Sequence, residues 1–297
     1  MRSTDTSFDL KTSARDAAHV RREIARLFDA TPAGRIVLAP GMLSALRHLF
    51  SARGIDRLAL TSHEYYAPRH FPAMTVDAVA VSTLVARVQA TRPGAVIVSV
   101  VSWQGEALPV AGLFAAIRRR LGARAPLLVA DYTHAGAIGF PPVSSLNADV
   151  VTGDPEKWLL PAGHASRLAF LWMRSAKEFR AAARVFSPFF LAVEGRSDAR
   201  ASRWIDRQEV HMVARWLSDT RLTRRALLTL HEANLRLKQR VARRLGIDST
   251  GAASVLWTDR RIPTSLEARL NRHHLLWRDG TGHARILCRS DEVNENL

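Results

Sequence analysis

The sequence predicts an α/β fold: a mostly parallel sheet with helices on both faces, followed by a small C-terminal α+β domain. Three observations predict it. Continuously apolar runs, such as residues 95–101 (AVIVSVV) and 126–131 (PLLVAD), end in turn-forming residues and read as strands buried on both faces. Segments with helical spacing of apolar residues separate these runs, the alternation expected of parallel strands joined by crossover helices. From about Phe186 the pattern changes to one long helical stretch and then short apolar runs.

In chain order, residues 16–29 (DAAHVRREIARLFD) have apolar positions at helical spacing and an acidic start, so they read as a helix. The short run Ile36–Ala39 reads as a strand, and Pro40 and Gly41 then open an amphipathic helix over Met42–Ala52. Arg57–Thr61 is expected to be a buried strand, followed by the polar aromatic segment 63–66 (HEYY). After the strand at 95–101 comes a helix over 109–121, whose arginines face solvent and which stops at Gly122. Apolar runs at 149–152 and 167–173 flank the segment around Lys157. Residues 202–245 read as one or two helices, and 253–258, 275–278 and 284–288 as short strands. The change near Ser187 and Pro188 divides the chain into a large domain, 1–186, and a small one, 187–297.

Composition narrows the function classes. A 297-residue chain with 47% hydrophobic and 24% charged residues can bury a substantial core. No apolar run is long enough to span a membrane, and the first residues lack the apolar core of a secretory signal, so a cytoplasmic protein with no membrane partner is expected. The single cysteine, Cys288, excludes an internal disulfide framework and a multi-cysteine zinc site. His273, His274 and His283 have no acidic or cysteine partners at ligand spacing, so no metal is expected. The net charge is +16, but the arginines are dispersed over helical faces without a nucleic-acid-binding motif. A solvated basic surface is expected, not a nucleic-acid partner.

In such sheets ligands bind beyond the carboxyl ends of the strands, so the residues just after each strand carry most information. Asp131 directly follows a buried strand and His134 comes three residues later, in DYTHAGAIG. A carboxylate there is costly to bury without a partner. Further on, DVVTGDPEKWLLPAG takes a strand into a polar turn, Lys157, an apolar patch and a Pro/Gly break. A lone lysine is ordinarily a solvated surface group. Apolar neighbours such as Trp158 lower a lysine's affinity for its proton, which favours nucleophilic attack on a carbonyl.

Together these segments resemble the class V aminotransferase-like family of fold-type-I pyridoxal-phosphate enzymes, in the branch of isopenicillin-N-epimerase-like proteins and carbon–sulfur lyases. Asp131 and His134 match its D-x-x-H-x-x-G motif, with Ala137 at the glycine position and Gly136 and Gly139 nearby. Thr152, Gly153, Lys157, Trp158, Leu159, Pro161 and Gly163 match its lysine motif. The resemblance implies that Lys157 binds pyridoxal 5'-phosphate covalently and moves the proton at the substrate Cα, and that Asp131 pairs with the pyridinium nitrogen. It places His134 near the ring's phenolic oxygen or in support of Asp131. Gly41 and Met42 would offer amides to the phosphate, Tyr65 (or Tyr66) would stack on the ring, and Ser102 and Thr152 would contact the cofactor. Arg285 resembles the arginine that grips the substrate carboxylate. The family also implies a homodimer and an amino-acid substrate, with β-elimination or transamination as the reaction. The chain departs from the pattern at Leu43, where a hydroxylic residue is common, at Asp154, where a phosphate contact is common, and at Glu156, ordinarily histidine. Those departures leave open a degenerate, non-catalytic binding or assembly subunit. Cys288 lies inside the Arg285 strand, a poor place for the mobile cysteine that persulfide-forming desulfuration needs.

Overall fold

The structure, a computed structural model, describes residues 10–62, 64, 70–154, 156–159, 168–185, 207–272, 275–278 and 282–289. Tyr65, Tyr66, Pro161, Gly163, His273, His274, the domain division at 186/187 and the side chains of Glu156 and Lys157 lie outside the described residues.

Helix α1 (Leu10–Phe28) buries Ala17, Val20, Ile24 and Leu27, three or four residues apart. This stripe packs on α7 (Arg207–Thr220), which presents Val210, Val213, Ala214 and Leu217 at the same spacing. The pair covers one part of a seven-stranded sheet. Its strands are β1 (Ile36–Ala39), β2 (Arg57–Thr61), β3 (Thr75–Val79), β4 (Ala95–Ser99), β5 (Leu127–Asp131), β6 (Val150–Gly153) and β7 (Ala169–Met173), in the order β1-β7-β6-β5-β4-β2-β3.

Strands β2 to β6 pair parallel with their neighbours, whereas β7 runs antiparallel to both β6 and β1. The first strand therefore points the same way as β6, and the carboxyl ends of β1, β2, β4, β5 and β6 all open onto one edge. Every residue of β1, β4, β5, β6 and β7 is buried, which explains their unbroken apolar sequences. Helices α2 (Met42–Ala52), α3 (Leu84–Thr91), α4 (Val110–Leu121), α5 (Glu156–Leu159) and α6 (Ala176–Val185) complete this part of the chain. As expected, α4 ends at Gly122, which takes a positive φ of 54°.

Beyond α7, α8 (Arg224–Leu245) leads to a three-stranded antiparallel sheet of β8 (Val255–Thr258), β9 (Leu276–Arg278) and β10 (Ala284–Leu287), with β10 central, and to α9 (Thr264–Arg272). The sequence-based mixture of helix and strand after residue 200 is thus present. Among the described residues, no helix is long and apolar enough to cross a membrane.

Five elements escaped the sequence reading: the edge strand β3 and the helices α3, α5, α6 and α9. The strand is half exposed and carries Asp77 mid-strand, so it lacks the apolar continuity of its neighbours. A strand boundary also needs correction. Residues 95–101 were expected to be one strand, but β4 ends at Ser99; Val100 and Val101 are buried in the turn that follows, where Val101 bridges Ala107.

Candidate active site

The strand ends frame a cleft of about 570 Å³ lined by residues from four connected segments: 40–44, 99–103, 131–134 and Asp154. Each position follows from sheet register. Ser99 on β4 sits opposite Asp131 on β5, which in turn sits opposite Thr152 on β6. Asp131 is the last residue of its strand, and its Oδ1 accepts the Thr133 N–H at 2.8 Å. That bond folds the chain back immediately after the strand and holds the carboxylate at the cleft wall. Thr133 Oγ1 also donates to Met42 Sδ at 3.2 Å, tying the β5 turn to the start of α2.

The start of α2 is built for an anion. Gly41 takes φ 110°, a conformation that β-carbon-bearing residues avoid, and the helix has no side-chain cap. Its first-turn amides have no intrahelical acceptor, and Gly41, Met42, Leu43 and Ser44 line the cleft. Asp154 shares that cleft, so one wall carries a carboxylate.

His134 lies on the same wall as Asp131. Arg285 Nη1 donates to His134 Nε2 at 2.9 Å. A guanidinium cannot accept, so His134 is neutral, with its ring proton on Nδ1. Arg285 is fully buried at the centre of β10, and its Cζ stands 4.5 Å over the Trp103 ring. Trp257 and Trp277 are its register partners on β8 and β9. Burial pushes the guanidinium down to about 9, and the Asp131 carboxylate works against that fall. Arg285 itself does not line the cleft, whereas His134 and Trp103 beside it do; its Nη2 also donates to the Ser102 carbonyl at 3.5 Å.

Lys157 belongs to α5, between Asp154, which lines the cleft, and Trp158, whose ring meets His134 edge-on with centroids 6.3 Å apart. Trp158 lies flat against Gly136, where any side chain would collide with it. Gly153 is similarly constrained: a β-carbon there would come within 3.1 Å of the Tyr132 carbonyl carbon and 3.2 Å of the Thr133 nitrogen. Gly153 lets β6 approach the backbone of the β5 turn, and Gly136 makes room in that turn for the Trp158 side chain of α5.

Two of the expected contacts are engaged elsewhere. Thr152 Oγ1 donates to the Phe170 carbonyl at 3.0 Å, inside the sheet. Ser102 Oγ accepts the Glu106 N–H at 3.1 Å and closes a turn; the polar residue at the end of β4 that lines the cleft is Ser99. Sequence reasoning missed Ser99, Trp103, Thr133 and Glu64. Glu64 lies three residues past β2, and its carboxylate turns back to Thr61 and to Ser99 at the end of β4. Thr61 Oγ1 donates to Oε1 at 2.6 Å, the Ser99 N–H donates to Oε1 at 2.8 Å, and Ser99 Oγ donates to Oε2. Burial pushes the Glu64 carboxyl up to about 7 against the pull of those hydrogen bonds, and the charge of Asp131 adds to the rise. An acidic residue three positions past the strand Arg57–Thr61 was the signal available for it.

Cys288 is buried at the end of β10, and burial pushes its thiol up to about 12. Among the described residues, no cluster of histidine, cysteine and carboxylates could hold a metal ion.

No family model matches the sequence, and no curated protein matches it. Solved structures do resemble it. The chain superposes on ureidoglycine–glyoxylate aminotransferase from Bacillus subtilis with a TM-score of 0.68 and 14% identity, over 96% of this chain and 83% of that one. Against the cystine C–S lyase C-DES, in complex with cysteine persulfide, the TM-score is 0.67 at 15% identity, covering 97% and 86%. Histidinol-phosphate aminotransferase from Sinorhizobium meliloti, solved with pyridoxal-5'-phosphate, gives 0.62 at 15% identity, covering 95% and 83%. At these identities the likeness establishes architecture alone: the chain has the fold of the fold-type-I pyridoxal-phosphate enzymes, with a seven-stranded, mostly parallel sheet flanked by helices and a small second sheet.

Proposed function

We propose that the protein is a pyridoxal-phosphate-dependent enzyme acting on an amino acid, of the lyase (β-elimination) or aminotransferase type. One observation carries the reading: the carboxylate of Asp131 and the uncapped start of α2 face a single cleft, with the helix that bears Lys157 beside it.

The donor set fits the cofactor at both ends. The amides of Gly41 and Met42, at a glycine whose φ is 110°, suit a phosphate dianion. Asp131, fixed by Thr133, suits a protonated ring nitrogen. When bound, the cofactor supplies an electron sink for the carbanion at the substrate Cα. The remaining work falls to the chain. Lys157 holds the cofactor covalently and carries the Cα proton. Asp131 keeps the ring nitrogen protonated. His134, fixed by Arg285, would support Asp131 or meet the ring's phenolic oxygen, and Trp103 adds an apolar surface to the same cleft. Arg285 supplies positive charge for the substrate carboxylate from behind the cleft wall that His134 and Trp103 form. Tyr65 is retained as the stacking residue and a homodimer as the assembly. The chain's single cysteine, buried and with a thiol held near 12, is ill suited to accept sulfur, which leaves persulfide-forming desulfuration outside the proposal.

The purified protein mixed with pyridoxal phosphate should turn yellow, and borohydride should fix the cofactor to the peptide containing Lys157, detected by mass spectrometry. Lys157→Ala should remain unmodified. Equal labelling of wild type and Lys157→Ala would refute the assignment and favour the non-catalytic alternative, to which Asp154 on the cleft wall and Leu43 in the first turn of α2 belong. With colour established, keto-acid and amine products from a panel of amino acids separate elimination from transamination.

A further inference from the structure

The edge of the large sheet opposite the cleft gathers positive charge. There β1 and β6 begin and β7 ends, and register sets them side by side: Ile36 is opposite Trp172, and Val150 is opposite Met173. Arg35 immediately precedes β1, Asp149 immediately precedes β6, and Arg174 immediately follows β7. A third arginine, Arg118, comes from the last turn of α4. It donates from Nη2 to Asp149 Oδ1 at 2.6 Å and to the Asn147 carbonyl at 3.3 Å. Three arginines are thus gathered about one carboxylate.

That carboxylate is already committed. Asp149 Oδ1 accepts from Arg118, and Oδ2 accepts the Leu128 N–H at 2.9 Å. Arg174 is half-buried, yet its guanidinium makes no hydrogen bond to the described residues. Arg118 Nε is buried and also lacks an acceptor among them. Burial, and then the like charge of Arg118, weaken the hold of Arg174 on its proton, and Asp149 offsets only part of this. Native proteins leave few buried donors unmatched, and an ion or a water is the ordinary explanation for one that is. Water could accept from Arg118 Nε, but only an anion also relieves the repulsion between the two guanidiniums.

We propose that Arg118 and Arg174 form a site for a phosphate group, carried by inorganic phosphate or by a small phosphorylated ligand, on the edge opposite the cleft. A guanidinium presents its donors in a fixed fork that matches two phosphate oxygens. Two forks, one from α4 and one from the end of β7, can hold one phosphate between them. The forks are partly ordered beforehand, which lowers the cost of binding. Two hydrogen bonds pin Arg118. The backbone of Arg174 is held by its N–H bond to the Asp149 carbonyl at 2.9 Å and by Arg35, which donates to the Arg174 carbonyl. Charge fits as well: three arginines less one aspartate leave two positive charges for a phosphate dianion. The carboxylate of α6, Glu178, is paired with Arg53. Exposed Arg57, Arg92 and Arg124, at or just before the starts of β2, β4 and β5, add to the field that draws an anion here. The site uses neither Gly41 nor Met42, and it stands or falls without pyridoxal phosphate.

Thermal unfolding in phosphate and in chloride, at matched pH and ionic strength, tests the site. Wild type should gain roughly 5 °C in Tm with phosphate at about a hundred times its dissociation constant. Arg174→Gln should lose most of that gain. In chloride its Tm should equal or exceed that of wild type, since the guanidinium removed makes no hydrogen bond to the described residues and repels Arg118. Arg174→Lys, which keeps the charge but not the fork, should keep a reduced gain. Calorimetric titration with inorganic phosphate should show affinity falling by on the order of tenfold or more in Arg174→Gln. Glycerol phosphate in the same titration separates the sources: binding as tight as that of inorganic phosphate shows a site open to a phosphorylated ligand, and no binding restricts it to the free ion. Equal gains in wild type and Arg174→Gln would place the phosphate elsewhere, such as the cleft, and overturn the proposal. So would a wild-type Tm that is the same in phosphate and chloride. An Arg174→Gln protein less stable than wild type in chloride would make Arg174 structural and overturn it too.

Discussion

Substituting Gly136 with alanine tests whether the packing of the β5 turn fixes the position of Lys157. A β-carbon at Gly136 would lie 2.5 Å from Trp158 Cβ and 2.6 Å from Cδ2, and nearer still to Cγ. Carbon atoms in contact settle at about 3.5–4.0 Å, so either α5 or the turn must move by about 1 Å. The far end of a flexible side chain could give way cheaply, but these atoms include the root of the tryptophan, next to the backbone of α5. Overpacking on this scale costs about 1–3 kcal/mol. For a chain of this size that lowers Tm by roughly 2–4 °C per kcal/mol. Thermal unfolding followed by circular dichroism reads the stability. Borohydride trapping at limiting pyridoxal phosphate reads the placement of the adjacent lysine, where a displacement near 1 Å should slow covalent capture by about tenfold or more. A Gly136→Ala protein with wild-type Tm and wild-type capture would show that Trp158 does not seat α5 on the turn, and the argument placing Lys157 at the cleft would fail with it.

Two further outcomes follow from buried charges. Glu64 binds its proton more tightly when folded, at about 7 against an ordinary 4.5, so its contribution to stability is fully present below pH 4.5 and is lost as pH rises through 7. The stability difference between wild type and Glu64→Gln, from urea unfolding at several pH values, should change by about 3 kcal/mol across that window and be flat above it; a difference that does not vary with pH would contradict the raised affinity. Lys238 of α8 is buried and donates from Nζ to the carbonyls of Thr250, Gly251 and Ala253, at 2.9, 3.1 and 2.9 Å. Lys238→Met strands those acceptors and should cost about 2–4 kcal/mol in urea unfolding, whereas a loss under 1 kcal/mol would mean that water replaces the ammonium.

The legible parts of the fold were those with sharp punctuation. The strand Ile36–Ala39, the helix Met42–Ala52 and the strand Arg57–Thr61 emerge as read, because Pro40 and Gly41 separate the first two and an apolar run marks the third. Strand β3 was hidden because an edge strand needs no continuous apolar sequence. Within the site, Asp131, His134, Gly41 and Met42 could be picked out because each lies at the carboxyl end of a strand or within three residues of it, and all line the cleft. Ser99 could not, since two buried valines extend the apolar run past the true end of β4 and drew attention to Ser102. The partner of Arg285 was equally invisible: nothing in a strand sequence tells that its guanidinium meets a histidine 151 residues away. Long-range hydrogen bonds of this kind depend on topology, which local patterns do not encode.

The link between the two sheets bears on the order in which the molecule assembles. The Ser254 N–H donates to the Ala137 carbonyl, in the turn just beyond His134, and the Cys288 N–H donates to the Ser254 carbonyl. The turn that follows Asp131 is thus anchored by residues more than a hundred positions further along the chain. Contacts so distant in sequence form slowly, because a long loop must close before they contribute. A nascent chain released as far as β7 already has its parallel strands and Asp131, yet lacks the strand that supplies Arg285. Maturation of the site therefore waits for the last tenth of the polypeptide, and a truncation there would spare much of the sheet while leaving His134 without its guanidinium partner.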